Sequence, residues 1–123
     1  MGSASGQRSL VTRSYIPDAG DLIWLTFDPQ AGREQAGRRP ALVLSPAAYN
    51  EKASLALVCP ISSRVKGYPF EVPLPEGLAV SGVVLSDHLK SLDWTQRKAE
   101  FVARVPTEVI SEVLARLAPL LGF

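Results

Sequence analysis

The chain has little of the chemistry that disulfides and metal sites require. Its 123 residues include one cysteine, Cys59, and one histidine, His88. A single cysteine cannot form an internal disulfide, and with one histidine it cannot assemble a ligand cluster of the zinc type. We therefore expect no disulfide and no metal cofactor. Because Cys59 lies in an apolar run, a core-filling role is favoured over a nucleophilic one.

Long hydrophobic runs are also missing. No apolar stretch approaches the roughly 18 residues that cross a bilayer, and the N-terminus lacks the apolar core of a signal peptide. We therefore expect a cytoplasmic protein without a membrane span. Residues 1–14, rich in Gly, Ser and Arg, show no hydrophobic period. They are predicted to be a disordered tail or vector-derived residues, which leaves residues 15–123 as a single domain.

The charges are unevenly distributed, although the net charge is only +1. Lys and Arg outnumber Asp and Glu in residues 1–70, and the acidic residues predominate in residues 71–123. This asymmetry permits a local anion-binding face. It argues against a protein that coats DNA through overall basicity.

Short apolar runs separated by turn residues predict a mainly β fold. The predicted strands are Asp21–Asp28, Ala41–Leu44, Leu55–Cys59, Tyr68–Val72, Gly82–Asp87 and Glu100–Val105. Pro60 cannot donate a ladder hydrogen bond, so the third strand is expected to bulge or to lie at a sheet edge there. A bulge would aim Ser62 away from the ladder.

Two helices complete the prediction. Ser45 is a candidate N-cap, with Pro46 in the first position of a short helix that runs to Glu51. From Pro106 onward, apolar residues at three-to-four spacing predict an amphipathic helix that serves the core or a dimer interface. Because helices do not alternate with strands, we expect a small SH3-like barrel of five to seven bent antiparallel strands plus this helix.

The loop between the first two predicted strands is the main candidate for binding anions. It carries Arg33, Glu34, Arg38 and Arg39. A guanidinium is a rigid, permanently charged fork that can grip two phosphate oxygens at once. The alternative is a solvated surface hairpin, in which Glu34 is an ordinary loop charge and not a general base.

Further candidates lie near other strand ends. Ser62 has no nucleophile-elbow sequence and no evident triad, so we expect it to donate a hydrogen bond to a phosphate and not to act as a covalent nucleophile. His88 is either a proton shuttle or a structural histidine. Arg64, Lys66 and Tyr68 combine cations with an aromatic ring, as segments that bind single-stranded RNA often do, although a solvated turn has the same composition.

Four sequence blocks together resemble the MazF/PemK toxins. They are GDLIW at 20–24, EQAGRRPALVLS at 34–45, KGYPFEV at 66–72 and DHLKS at 87–91. Their order and spacing extend the resemblance from about Tyr15 to Leu121.

This resemblance implies a homodimer of SH3-like barrels of the CcdB/MazF type. It also implies an endoribonuclease that cuts single-stranded RNA, often mRNA, at a short preferred sequence. Such a toxin is neutralised by a cognate MazE-like antitoxin with an acidic, partly disordered tail. RNA supplies its own nucleophile, the 2′-hydroxyl, so cleavage to a 2′,3′-cyclic phosphate and a 5′-hydroxyl requires neither a metal nor a covalent enzyme intermediate.

The resemblance also assigns catalytic roles. Arg39 matches the family's essential arginine before proline, and Ser62 matches a hydroxyl residue that is often threonine in relatives. We expect Arg39 to stabilise charge on the phosphorane, with Ser62 as a second donor. Glu34 matches the loop acid, and either Glu34 or His88 is expected to take the 2′-proton.

RNA binding is assigned to a wider set of residues. Lys90 and Ser91 keep the family's basic-then-hydroxyl pattern and are expected to touch the RNA backbone. His88 stands where many relatives carry glutamine, and Arg38 replaces a variable residue. The complete predicted set is Arg33, Arg38, Arg64, Lys66, Tyr68, His88, Lys90 and Ser91.

Two other function classes are weighed against the nuclease. A CcdB-like gyrase poison shares the fold class but depends on a tryptophan-bearing helix end, whereas this chain ends in Leu-Leu-Gly-Phe. A noncatalytic RNA-binding barrel would keep the basic loop and tolerate the loss of Ser62.

Overall fold

The computed structural model describes residues 15–27 and 37–123. Within these residues there are seven strands and two α-helices. The strands are β1 (Asp21–Phe27), β2 (Gly37–Val43), β3 (Ala56–Ser62), β4 (Glu71–Pro73), β5 (Val83–Leu85), β6 (Lys90–Leu92) and β7 (Glu100–Arg104). The helices are α1 (Ala47–Ala53) and α2 (Thr107–Leu120), and short 3-10 turns span Ser86–His88 and Trp94–Gln96.

The strands form one antiparallel sheet in the order β4-β5-β3-β2-β1-β7, with β6 pairing to β3 off this path. The prediction of a mainly β fold with a C-terminal helix is confirmed. In the described part of the chain no pairing joins β4 to β7, so the sheet stays open where a strict barrel would close.

The core consists of two apolar clusters, one on each face of the sheet. Alternating residues of β1 divide between them, because successive side chains of a strand point to opposite faces. Leu22, Leu42 and Cys59 join the cluster that also takes up the buried face of α2, made of Val109, Val113 and Leu117. Ile23, Leu25, Phe27, Ala41, Val43, Ala56 and Val58 form the other cluster.

Several element boundaries differ from the prediction. β2 begins at Gly37, so Arg38 and Arg39 belong to a strand and not to a loop. Apolar patterning misses this part because its side chains are exposed, while its backbone pairs with β1 as far as Gly37 opposite Phe27. β4 begins at Glu71 and not at Tyr68, and the three-residue strand β6 was not predicted.

The expectation for Pro60 was wrong. The register of β3 with β2 passes through Pro60, opposite Ala41, without a shift, and β3 lies inside the sheet. The carbonyl of Leu57 accepts a hydrogen bond from the backbone N–H of Leu44, so the backbone groups of Leu57 face β2. Because this direction alternates along a strand, the backbone of Pro60, three residues later, faces away from β2. On that side β3 changes partner, because β6 pairs with residues 56–58 and β5 with residues 61–62. Pro60 therefore lies between the residues that pair with β6 and those that pair with β5, and Ser62 remains in the ladder opposite Val83.

The helix starts also differ in detail. Pro46 is the N-cap of α1, and the Ser45 hydroxyl instead donates to Asn50 Oδ1 (2.6 Å) and accepts from Leu57 N (2.8 Å). Asn50 is fully buried, and its amide donates to Pro17 O at 2.8 Å. α2 begins one residue after Pro106. Among the described residues, no helix has both the length and the apolarity needed to span a bilayer.

Cys59 is completely buried, as the prediction of a core-filling role requires. Burial, reinforced by Asp87, raises the pKa of its thiol to about 12. An unfolded thiol has a pKa of about 8.5, so the native thiolate fraction at pH 8 is lower by about three orders of magnitude. We expect the native protein to resist a thiol reagent at pH 8 and the urea-unfolded protein to react at once.

The same shift gives a pH dependence of stability. A folded pKa above the unfolded value stabilises the native state below about pH 8.5, and this contribution is lost as the pH rises towards the folded pKa. Replacing Cys59 with Ser, which does not ionise, should remove this part of the alkaline loss of stability in urea denaturation. Rapid labelling of the native protein at pH 8 would contradict the assignment.

Candidate active site

The C-terminal end of β3 opens onto a cavity of about 500 Å³. It brings together side chains that are separate in sequence, and five of the predicted site residues are among them. The lining residues are Ser62, Arg64, Lys66, Tyr68, Glu71, Leu85, Asp87 and His88. The structure thus joins the end of β3, the segment that follows it and the 3-10 turn after β5 into one site.

Arg39 lies on the neighbouring strand β2 and is not among the described residues that line this cavity. It pairs with Leu25 of β1, and Ala41 of the same strand pairs with Pro60 of β3. Extending the latter register by two residues on each strand brings Arg39 level with Ser62. Residues level with each other in an antiparallel pair project to the same face, so Arg39 and Ser62 share one face of the sheet. A second cavity of about 350 Å³ is bordered by both Arg38 and Arg39, together with Ile61 and Ser63.

Arg38 projects to the opposite face, and its guanidinium is engaged within the protein. It donates to Glu100 Oε1 at 3.0 Å, to Lys98 O at 2.8 Å and to Thr26 Oγ1 at 3.3 Å. These bonds tie the start of β2 to β1 and to the segment that enters β7. The assignment of Arg38 to RNA binding stays a prediction, and the contacts show that the side chain has a structural use.

Ser62 closes the turn that leads out of β3. Its Oγ accepts a hydrogen bond from the backbone N–H of Arg64 at 3.0 Å. The hydroxyl is therefore held at the cavity by the same turn that starts the cationic segment. The same hydroxyl donates to Arg64 O at 3.5 Å, a long bond that leaves its proton able to turn to a bound phosphate.

The segment between β3 and β4 supplies the cations and the aromatic ring. Lys66 Nζ lies 5.6 Å from the centroid of the Tyr68 ring, and 58% of Tyr68 is exposed. An exposed ring can stack on a base, and neighbouring cations can neutralise phosphates. Arg64 and Lys66 are both exposed, so the segment suits a single-stranded nucleic acid.

His88 closes the other side of the cavity. Its Nε2 lies 3.9 Å from Asp87 Oδ1, and about a third of its side chain (32%) is exposed. The imidazole is therefore accessible to a ligand while a carboxylate lies beside it. This geometry is compatible with proton transfer and equally with binding.

Two further candidates, Lys90 and Ser91, are not brought into the cavity. Lys90 and Ser91 pair with Val58 and Leu57 near the beginning of β3, and neither is among the described residues that line the cavity. Arg33 and Glu34 lie outside the described residues. In the described ranges no group of three or more His, Cys, Asp or Glu side chains could hold a metal ion.

The predicted site residues include neither of the two acids that line the cavity, Asp87 and Glu71. Glu71 is the more deeply buried of the two. It is 8% exposed, and its carboxylate accepts from the backbone N–H of Lys66 and Gly67. The available signal was an acid that begins a strand directly after a cationic turn containing glycine. Such an acid can bond back to the turn, but the residue pattern alone does not require it.

A small, bent antiparallel sheet with a C-terminal helix carries, at one strand end, a cavity lined by two cations, two carboxylates and an exposed aromatic ring, which defines a β protein with a polar ligand site. The model of the family described as PemK-like, MazF-like toxin of type II toxin-antitoxin system matches residues 18–121. The chain belongs to this family, as its sequence blocks indicated.

Individual relatives agree with the family match. The endoribonuclease toxin MazF of Escherichia coli K12 is 47% identical over 108 residues, which are 88% of this chain and 96% of the relative. A crystal structure of MazF from Deinococcus radiodurans has a TM-score of 0.86 at 62% identity, covering 89% of this chain and 100% of that one. A MazE-MazF crystal structure from the same organism has a TM-score of 0.80 at 56% identity, covering 89% and 99%.

Gly82, the residue directly before β5, lies close to the backbone of Ser62. Its φ is +126°, and a Cβ built on it would lie 2.2 Å from the carbonyl oxygen of Ser62. We expect Gly82→Ala to destabilise the protein by at least about 3 kcal/mol in urea denaturation, because backbone strain and overpacking add. Displacement of Ser62 should also lower the rate of the RNA cleavage proposed below.

Gly77→Ala is the matched control for this prediction. Gly77 has φ +95°, and nothing lies within 4 Å of its added Cβ. It should therefore show only the cost of the left-handed backbone, about 1–2 kcal/mol. Equal effects of the two substitutions would show that close approach to Ser62 is unimportant.

Proposed function

We propose that the protein is a sequence-specific endoribonuclease that cleaves single-stranded mRNA as the toxin of a toxin–antitoxin pair. The observation that carries the proposal is the cavity at the end of β3, where Ser62, two cations, an exposed aromatic ring and His88 meet beside Arg39. The 47% identical relative from Escherichia coli is an endoribonuclease toxin, which supports the same activity here.

RNA binding follows from the cavity lining. Arg64 and Lys66 neutralise backbone phosphates, and Tyr68 stacks on a base. His88 contacts the RNA from the opposite wall. Lys90 and Ser91 extend the binding surface beyond the cavity, and RNA binding is also assigned to Arg33.

The chemical step is a transesterification within the RNA. The 2′-oxygen forms a bond to the adjacent phosphorus, and the bond from phosphorus to the 5′-oxygen breaks. Arg39, with Ser62 as a second donor, stabilises the negative charge that builds on the phosphorane. Glu34 or His88 takes the 2′-proton, and the departing 5′-oxygen gains a proton to become the 5′-hydroxyl. Because the nucleophile belongs to the substrate, the reaction requires no metal.

Partner and location follow from this role. The MazF of Deinococcus radiodurans forms a complex with MazE, and its 56% identity supports a cognate MazE-like antitoxin for this protein. An enzyme that cuts mRNA acts in the cytoplasm.

A CcdB-like gyrase poison is not favoured, because the relatives that match most of the chain are endoribonucleases.

The nuclease is tested with a long single-stranded RNA in excess EDTA. The wild-type protein should give discrete cuts with 2′,3′-cyclic phosphate and 5′-hydroxyl ends. Arg39→Ala should lower the cleavage rate by about 10²–10³-fold, because a transition-state donor is lost, while RNA binding falls far less. Ser62→Ala should also slow cleavage at saturating RNA.

Arg116→Ala is the matched control, since it removes a guanidinium that pairs with Glu112 on α2, outside the cavity lining. It should cleave like wild type. Intact RNA with the wild-type protein would contradict the nuclease and favour a noncatalytic toxin. Equal loss of binding and cleavage in Arg39→Ala would reduce Arg39 to a binding residue.

We also propose a homodimer. Four large apolar residues in and just after α2 are each at least half exposed: Leu114, Leu120, Leu121 and Phe123. An apolar surface that is exposed in one chain can be buried by pairing with a second copy. Light scattering at micromolar concentration should give twice the chain mass of 13.2 kDa. A monomer at that concentration would contradict the proposal.

A further inference from the structure

Glu71 is a buried acid in the wall of the RNA cavity, and the catalytic scheme gives it no role. It is 8% exposed at the first position of β4. Both carboxylate oxygens lie 3.2 Å from the backbone nitrogen of Lys66, and Oε1 also accepts from Gly67 N at 2.9 Å. The backbone nitrogen of Glu71 donates to Tyr68 O at 3.1 Å. One residue therefore holds three points of the cationic segment.

The two amides bound by Glu71 are consecutive, and Gly67 has a φ of +79°. Successive N–H groups at a left-handed residue form a concave nest that binds anions. Here an internal carboxylate occupies the nest. The segment from Ser63 to Phe70 thus has an anchor at each end, since Ser62 Oγ binds the N–H of Arg64 at 3.0 Å.

We propose that Glu71 is a positioning residue of the RNA site. Its carboxylate fills the backbone nest and fixes the segment so that Arg64, Lys66 and Tyr68 face the cavity. It also keeps RNA phosphates out of the nest and directs them to the cationic side chains. The inference rests on the proposed ribonuclease function and deepens its account of substrate binding.

This role differs from that of a catalytic base. The oxygens of Glu71 are already turned to the backbone of its own chain, and its effect on RNA passes through the residues that it holds. Loss of the carboxylate should therefore weaken RNA binding and leave the chemical step nearly unchanged once RNA is saturating. Loss of the Arg39 guanidinium should instead slow the chemical step and change RNA binding far less.

Glu71→Gln is the decisive variant because it keeps the side-chain volume. Its amide oxygen can accept one N–H, but its NH₂ group opposes the other. We expect the Kd for a 2′-O-methyl RNA, which lacks the nucleophile, to rise about tenfold, as the loss of one charge-assisted hydrogen bond implies. On cleavable RNA, kcat should stay within about threefold of wild type while KM rises.

Glu76→Gln is the matched control, because it neutralises an exposed acid in the following loop. It should leave Kd and KM unchanged. Glu71→Asp keeps the charge but withdraws the carboxylate by one methylene, and it should weaken RNA binding without abolishing it. An unchanged Kd in Glu71→Gln, or a fall in kcat at constant Kd, would overturn the proposal.

A measurement on the wild-type protein does not depend on any variant folding. The amide protons of Lys66 and Gly67 should exchange with solvent at least about tenfold more slowly than that of exposed Ser63. Exchange as fast as that of Ser63 would overturn the proposal. If these amides are protected but the wild-type protein leaves RNA intact, the proposed function fails while the organisation of the segment by Glu71 stands.

Discussion

The change of partner along β3 is the constraint on which the site depends. On one side this strand pairs with β2, and on the other it pairs first with β6 and then with β5. Pro60 lies at the change, between the residues that pair with β6 and those that pair with β5. Because β3 continues past the proline to Ser62, the hydroxyl emerges between β2 and β5 and not in a free loop.

Rigid elements consequently hold the ends of the binding segment while its side chains remain exposed. Gly82 lets β5 approach the Ser62 backbone, and Glu71 sits on β4, which pairs with β5. A cluster of like charges repels itself, so the cations of a nucleic-acid site need a scaffold that keeps them together before the ligand arrives. The buried carboxylate of Glu71 supplies part of that scaffold through backbone bonds, which leave Arg64 and Lys66 available to RNA.

Much of this arrangement could be predicted from the sequence, and the failures share a physical cause. Buried strands were found because apolar residues mark them, and the family resemblance pointed to Arg39, within one of its blocks, and to Ser62, at the end of the third predicted strand. The start of β2 was missed because Arg38 and Arg39 are exposed residues in a paired strand, where hydrogen bonds and not burial define the element. Glu71 was missed because its partners are backbone amides, which are present at every residue and leave no mark in the sequence.

Arg38 and Arg39 show why adjacent identical residues need not share a task. The two-residue period of a strand sends their side chains to opposite faces. Arg38 forms an ion pair with Glu100 and donates to the Lys98 carbonyl, so contacts within the protein use much of its hydrogen-bonding capacity. Arg39 shares a face with Ser62. The first guanidinium therefore holds β2 against its neighbours, and the second is the one that we propose to bind the phosphate.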